Sequence, residues 1–365
     1  MPIGNTLVSE KKPPRMAMTE TPNSEKPIKC VVWDLDDTVW SGVLLEEEVV
    51  LKPEVTRVIR TLDERGVLNS IASRNDADLA MERLESFGLA EYFVCPQIGW
   101  GAKSTSIAAI AETLNLGIDS LALVDDQPFE REEVNFAHPD VLCLDGAGNL
   151  ASLLEVPRLI PRFQTDEQKY RREMYQQEFA RNQVENSFDG PSNEFLKTLD
   201  LVLNIGPAGD GDLERLEELT ERTHQLNSTG YTYGFEELDR LRQSPDHLLL
   251  VADLSDKFGW YGKIGLALVE RQSDMWILKL LIASCRVMSR GVGSILLHNV
   301  MGRAKEAGVK LRAEFRLTGR NRAMHVAYRF AGFQEVERDG DLILLEHGLE
   351  TVPTIPDYVK LVARS

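Results

Sequence analysis

Apolar and polar positions follow two rhythms along this chain, and the change falls near its middle. Between Lys29 and Leu150, short apolar runs stand at residues 30–34, 68–72, 92–95, 121–124 and 141–144. The stretches 53–65, 77–87 and 104–114 separate them and carry their apolar residues at helical spacing. Short continuous apolar runs predict strands buried on both faces, and a 3.6-residue period predicts amphipathic helices. Strand and helix in alternation predict a parallel, doubly wound sheet whose ligands sit beyond the strands' carboxyl ends.

The second rhythm begins after Pro157 and Pro161. Residues 166–182 are dense in Glu, Gln, Lys and Arg and predict a mostly exposed helix bridging two halves. Residues 248–254 and 263–270 predict neighbouring strands joined by the loop 255–262. Residues 276–284 predict a long apolar strand, 292–307 a helix and 311–317 a further strand. The division expected is a disordered tail at 1–26, a first domain at 27–155, a linking helix at 156–190 and a second domain at 191–365. A chain of 365 residues has material for a core in each domain.

Composition narrows the setting. No run of 18 apolar residues is present, so no membrane span is expected. The first 26 residues lack the apolar core of a signal peptide, and Met16 or Met18 is an alternative start. Cys30, Cys95, Cys143 and Cys285 make no metal-type spacing and no dense disulfide framework, which fits a reducing, bacterial-type cytoplasm. Residues 1–150 hold 13 Lys and Arg against 26 Asp and Glu, whereas residues 286–322 hold nine Lys and Arg against Glu306 and Glu314. A basic segment on a chain of net charge −17 points to a specific anionic partner: a phosphorylated metabolite, a pantetheine phosphate or an acidic carrier protein. It argues against nucleic acid, whose binding rests on phosphate neutralisation over a wide surface. A solvated basic face is the plain alternative.

The candidate chemistry sits at strand ends. Asp34 and Asp36 close the first apolar run, and side chains at i and i+2 on a strand point the same way. Two carboxylates that close need a metal or a proton between them. Ser73 follows the second run, Lys103 opens a helical pattern, and Asp125-Asp126 closes the fourth run. Taken singly, each has a bland reading: an acidic turn, or a solvated lysine at a helix start. In this order they resemble the motifs of the haloacid dehalogenase-like (HAD) phosphatase superfamily. That resemblance implies Asp34 as nucleophile and Asp36 as general acid and base, with Ser73 and Lys103 on the phosphoryl oxygens. It also implies Mg²⁺ held by Asp34, Asp125 and the carbonyl of Asp36, with Asp126 in support or in place of Asp125. About 35 residues separate Asp36 from Ser73, too few for a large cap, so an open site suited to a bulky or protein-attached substrate is expected.

In the second half, a strand, then RVMSRGVGS at 286–294, then a helix resembles the pyrophosphate loop of the GNAT acyltransferase fold. Met288 stands where that loop ordinarily has Gln or Arg, which weakens an acetyl-CoA reading, and a simple tight turn is the alternative. Cys285 ends the apolar strand beside Arg286 and a helix start, where a depressed thiol pKa is expected. The alternative is a small buried hydrophobe.

Taken together, the stretches KCVVWDLDDTVWSGV (29–43), SIASRND (70–76), PQIGWGAK (96–103), LVDDQPFEREEV (123–134), LTERTHQLNS (219–228), SCRVMSRGVG (284–293) and TGRNRAMHVAYRFAGF (318–333) resemble the FkbH-like HAD glyceryltransferase/phosphatases of polyketide pathways. The resemblance covers residues 29 to about 341. It implies an α/β fold in which an uncapped HAD-like doubly wound parallel sheet is fused to a GNAT-like α/β domain. The implied reaction takes a glyceryl group from 1,3-bisphosphoglycerate, removes phosphate, and leaves the glyceryl group as a thioester on an acyl carrier protein. Cys285 is then the candidate acyl-carrying thiol, and His325 a candidate to polarise the thioester, a structural role being its alternative. Candidate substrate contacts are Thr38, Ser73, Arg74, Asn75, Arg286, Arg290, Gly291, Gly293, Arg320 and Asn321. Two further readings stay open. One is a phosphatase on another carrier-bound or sugar-phosphate substrate, with the second half used for recognition. The other is a carrier-protein scaffold with a silent HAD site.

Overall fold

The computed structural model describes residues 26–162 and 165–364; the tail expected at 1–26 lies, but for Lys26, outside them. Its first half is a five-stranded parallel sheet in the spatial order Gln97–Ile98, Leu68–Ser73, Cys30–Trp33, Leu121–Asp125, Leu142–Asp145. Val31, Trp33 and Leu35 enter the core on one face, while Cys30 and Val32 enter a second core on the other. That is the alternation a strand imposes, and it explains why all four residues of Cys30–Trp33 are buried and apolar.

Residues 92–95 depart from expectation. Ala90–Tyr92 forms a 3-10 turn, Phe93 makes only a bridge to Asn69, and the strand itself is Gln97–Ile98. Cys95 adopts a left-handed φ of 51°, and Pro96 supplies no amide proton, so the ladder is interrupted before it starts. Between Asp36 and Ser73 stand only the hairpin Trp40–Ser41/Val50–Leu51 and the helix Val55–Glu64, with no cap domain.

The second half is an eight-stranded mixed sheet: Gln334–Asp339, Leu342–His347, Lys310–Arg316, Met275–Ala283, Gly259–Arg271, His247–Asp256, Leu201–Pro207, Val359–Ala363. Met275–Ala283 and Lys310–Arg316 run parallel, but they pair only from Met275/Lys310 to Leu278/Ala313 and then part. The chain's own segment 226–228 fills the opening. Ala283 N donates to Leu226 O at 3.0 Å, Ser228 N to Leu281 O at 3.0 Å, and Arg316 N to Ser228 O at 2.9 Å. Backbone groups exposed by the splay are therefore already paired, as buried amides require.

Residues 166–182 correct the expectation of a mostly exposed bridge. The helices Asp166–Lys169 and Arg171–Asn186 wedge between the halves with Glu167, Gln168, Met174 and Arg181 buried. Toward the first sheet, Arg172 Nε pairs with Asp63 at 3.0 Å and Arg171 Nη1 donates to Gly66 O at 2.7 Å. Toward the second, Arg181 forks onto both oxygens of Asp256 at 2.7 and 3.2 Å and stacks 3.8 Å from the Tyr261 ring centroid. Arg171, Arg172 and Arg181, among the charged residues that suggested solvation, are engaged across two interfaces, while Asp166, Lys169 and Glu173 stay exposed.

Candidate active site

The carboxyl ends of the parallel strands bring the first-half motifs together. Lys103, at the start of the helix Lys103–Thr113, is buried with its ammonium among three carboxylates. Asp34 Oδ1 stands 2.9 Å away, and Asp125 and Glu130 make closer ion pairs. Burial pushes the Asp34 carboxyl up to about 6; Lys103 opposes that shift and Asp125 adds to it. Burial would also lower the Lys103 ammonium, but Asp34 and Asp125 outweigh it and hold the group above its ordinary value. A charged lysine buried this deeply is stable only because its partners are arranged around it.

Asp34, Asp125 and Glu130 can bring one oxygen each within 4.8 Å of one another. Hard oxygen donors packed so closely fit a divalent cation such as Mg²⁺. The Ser73 hydroxyl is buried beside Asp34, whose carboxyl its hydrogen bonding helps to lower, and it stands where it could turn to a ligand oxygen.

Neighbouring candidates hold this group in place. Asp36 accepts from Trp40 Nε1 at 2.7 Å and Leu44 N at 3.1 Å through one oxygen, and from Asn75 Nδ2 at 3.0 Å through the other. Asn75, a candidate substrate contact, is thus buried against the candidate acid/base. Thr38 Oγ1 accepts from Asp126 N at 3.1 Å and lies 3.3 Å from Asp126 Oδ1, tying two strand-end loops together. Burial, reinforced by Asp125, raises the Asp126 carboxyl above its usual range. Arg74 pairs with Glu130 at 3.2 Å and donates to Gly101 O at 3.3 Å.

Glu130 was not among the sequence candidates. The signal lay in Pro128, which suits the first position of a helix and so places Glu130 in its first turn, facing back toward Asp125.

The second-half candidates disperse. Cys285 is exposed in a cleft of about 530 Å³ between the halves, whose walls include Lys29, Leu68, Arg171, Tyr175, Trp260 and Arg286. Its thiol contradicts the expected depression. Desolvation by the cleft walls raises it above the ordinary value, and the amides of Cys285 and Gln225 offset this only in part. The Arg286 guanidinium lies 3.4 Å from Met174 Sδ instead of serving the thiol.

Arg290 is buried and held by Glu185 at 3.0 Å. Gly291 takes a left-handed φ of 71° before the helix Val292–Glu306, and a side chain there would meet the Tyr358 hydroxyl. Gly293 packs toward Ala283. Asn321 is buried, donating to Asn227 O and Arg316 O at 2.9 Å each, while His325 lies against the Phe315 ring at 4.9 Å between centroids. None of Arg290, Gly291, Gly293, Arg320, Asn321 and His325 lines the Cys285 cleft. Part of the basic segment is likewise paired within the chain, Arg312 with Glu346 and Arg316 with Asp341.

No family model matches this chain. It is 28% identical over 136 residues to human magnesium-dependent phosphatase 1, a match covering 32% of this chain and 76% of that protein. Among solved structures, the N-terminal part of a Bacteroides fragilis protein, containing a phosphatase domain complexed with Mg, is 27% identical. That match spans 38% of this chain and 41% of the other, with a TM-score of 0.32. The Escherichia coli ribosomal-protein-S18-alanine N-acetyltransferase is 18% identical over 40% of this chain and 92% of its own, with a TM-score of 0.32. The architecture is a HAD-like parallel sheet fused to a GNAT-like α/β half, and the first half carries a phosphatase-type centre.

Proposed function

We propose that this chain is a Mg²⁺-dependent enzyme that transfers a glyceryl group from 1,3-bisphosphoglycerate to an acyl carrier protein with loss of phosphate, for polyketide extender-unit synthesis. The observation that carries the reading is the pairing of a phosphatase-type centre at one end of the first sheet with a thiol in an interdomain cleft at the other.

In the first centre, Asp34 attacks phosphorus while Asp36 gives its proton to the departing ester oxygen. Asp36 then takes a proton from the water that cleaves the aspartyl-phosphate. Ser73 and Lys103 balance charge on the phosphoryl oxygens. Mg²⁺, bound through Asp34, Asp125 and Glu130, would neutralise the approaching phosphate and align it. Leu45, Trp100 and Phe129, large and exposed, lie in the chain close to Leu44, Lys103 and Glu130, which fits an open mouth admitting a carrier-borne substrate.

In the second centre, the Cys285 thiolate attacks the acyl carbon of the donor and its phosphate departs; the carrier thiol then displaces Cys285. Lys29 lines the cleft just before the strand Cys30–Trp33 and Asp34 follows it, so strand rise puts Asp34 about 16 Å from that wall of the cleft. On that spacing a phosphoester held on Cys285 would not reach Asp34 in the same chain. This supports an order in which the ester phosphate is removed after the group has moved to the mobile carrier.

A second reading has its own support. The raised Cys285 thiol favours a phosphatase on another carrier-bound or sugar-phosphate substrate, with the second half used for recognition. Intact-protein mass spectrometry after mixing enzyme, Mg²⁺ and 1,3-bisphosphoglycerate decides between them. A phosphoglyceryl adduct on the parent that is absent from Cys285→Ala supports transfer. Phosphatase activity with no adduct on any variant moves the assignment to the second reading.

A further inference from the structure

The Cys285 cleft holds more positive charge than its own carboxylates neutralise. Arg181, on its wall, is matched by Asp256 and Glu178. That leaves Lys29, Arg171, Arg215, Arg222 and Arg286, drawn from the first sheet, the linking helix, the helix Leu213–Arg222 and the turn after Cys285. The carboxylates facing them are Glu167 and Glu218. Glu218 serves three guanidiniums at once: Arg215 at 2.5 Å, Arg222 at 2.7 Å and Arg171 at 3.7 Å. Glu167 stands 4.0 Å from Arg215 and already accepts from Lys263 N at 2.9 Å. Asp119, which lies in the field of Lys29, is paired with Lys26.

The surplus acts on the cations themselves. Desolvation comes first in each case; Arg222 and Arg171 add to it at Lys29 and Arg215 at Arg286, while at Arg171 the opposing pull of Glu218 precedes the push of Arg222 and Arg215. Like charges crowded beside an open cavity, with too few acids among them, favour an anion in that cavity.

We propose that Lys29, Arg171, Arg215, Arg222 and Arg286 form an anion subsite that binds a phosphate group of a small acyl donor and sets its carbonyl beside Cys285. The inference deepens the reading above and rests on it for the identity of the donor. Guanidinium groups match phosphate oxygens in geometry, and a cavity of about 530 Å³ admits a phosphorylated three-carbon acid, whereas a folded carrier would have to stay outside.

The test reads the rate at which iodoacetamide alkylates Cys285, followed by peptide mass in the full chain carrying Asp34→Asn, with Cys95 as internal control. Saturating 3-phosphoglycerate is expected to slow Cys285 alkylation at least about fivefold and leave Cys95 unchanged. Arg222→Gln, on the exposed rim, is expected to raise the half-protecting concentration about tenfold, while Arg171→Lys keeps most of the protection. Glycerate, which lacks the phosphate, should protect little. Equal protection by glycerate, or unchanged protection in both Arg222→Gln and Arg286→Gln, would overturn the subsite. Protection without any phosphoglyceryl adduct in the mass experiment keeps the subsite and removes the transfer reading; an adduct with Cys285 unprotected does the reverse.

Discussion

The two ends of the strand Cys30–Trp33 face opposite electrostatic problems. Beyond its carboxyl end, three buried carboxylates close around the single ammonium of Lys103. Beyond its amino end, five cations share Glu167 and Glu218. One end is short of positive charge and suits a cation together with a phosphate; the other is short of negative charge and suits an anion. The burial differs as well. The acidic side chains are buried, whereas the basic end is walled by four separate segments and opens to water. A deeply buried cluster tolerates substitution poorly, since each lost partner leaves its mate uncompensated. A cleft lined by surplus charge should lose ligand before it loses fold.

The sharpest way to separate the ends is Asp34→Asn. Loss of the nucleophile should lower hydrolysis of a generic aryl phosphate by at least about 10³-fold, while the Cys285 alkylation rate stays within about twofold, because some 16 Å of strand lies between. A matching fall in both readouts would mean the ends are one site. Next in size is Arg181→Leu. Asp256 would be left buried, with only the Tyr261 hydroxyl and the amides of Phe258 and Gly259 as donors. Breaking such a pair should cost about 3 kcal/mol in denaturant unfolding. A loss below about 1 kcal/mol would show that the helix Arg171–Asn186 contributes little to joining the halves.

Much of the acidic end was legible because strand ends translate sequence order into spatial order. Asp34, Ser73, Lys103 and Asp125 each follow an apolar run or open a helix, and parallel strands gather such positions at one edge. Glu130 was hidden because its position depends on where a helix begins, a boundary fixed by Pro128 and not by hydrophobic period. The linking helix was misread for a related reason. Its Arg and Glu residues look solvated in sequence, and only the second sheet supplies Asp256 and Lys263 N as partners for Arg181 and Glu167. The basic stretch 286–322 pointed to an anion site, yet Arg290, Arg312 and Arg316 are held by carboxylates of the chain itself. The cations that line the cleft come largely from elsewhere, an assembly no local window reveals.

Glu130→Gln asks whether the third carboxylate belongs to the ion or only to Lys103 and Arg74. The substitution keeps the shape and removes the charge that both cations face. If Glu130 helps hold Mg²⁺, the concentration giving half-maximal aryl phosphatase activity should rise about tenfold. An unchanged Mg²⁺ requirement with a lower maximal rate would restrict Glu130 to positioning Lys103.

The smallest effect expected is the most discriminating for the basic end. Desolvation raises the Cys285 thiol, so less thiolate is present at neutral pH than for a free cysteine, and the shift is one of direction: the rate of alkylation should keep climbing past the ordinary midpoint of about 8.5. A midpoint near or below about 8 would mean that the surrounding guanidiniums do reach the sulfur and outweigh burial. The distinction bears on chemistry. An acyl phosphate is reactive enough to be captured by a small thiolate fraction, and a thiol of raised pKa is in turn a better nucleophile per ionised molecule. A cysteine that is slow to ionise yet acylated by 1,3-bisphosphoglycerate would therefore place the burden of activation on the donor and on the cations that orient it.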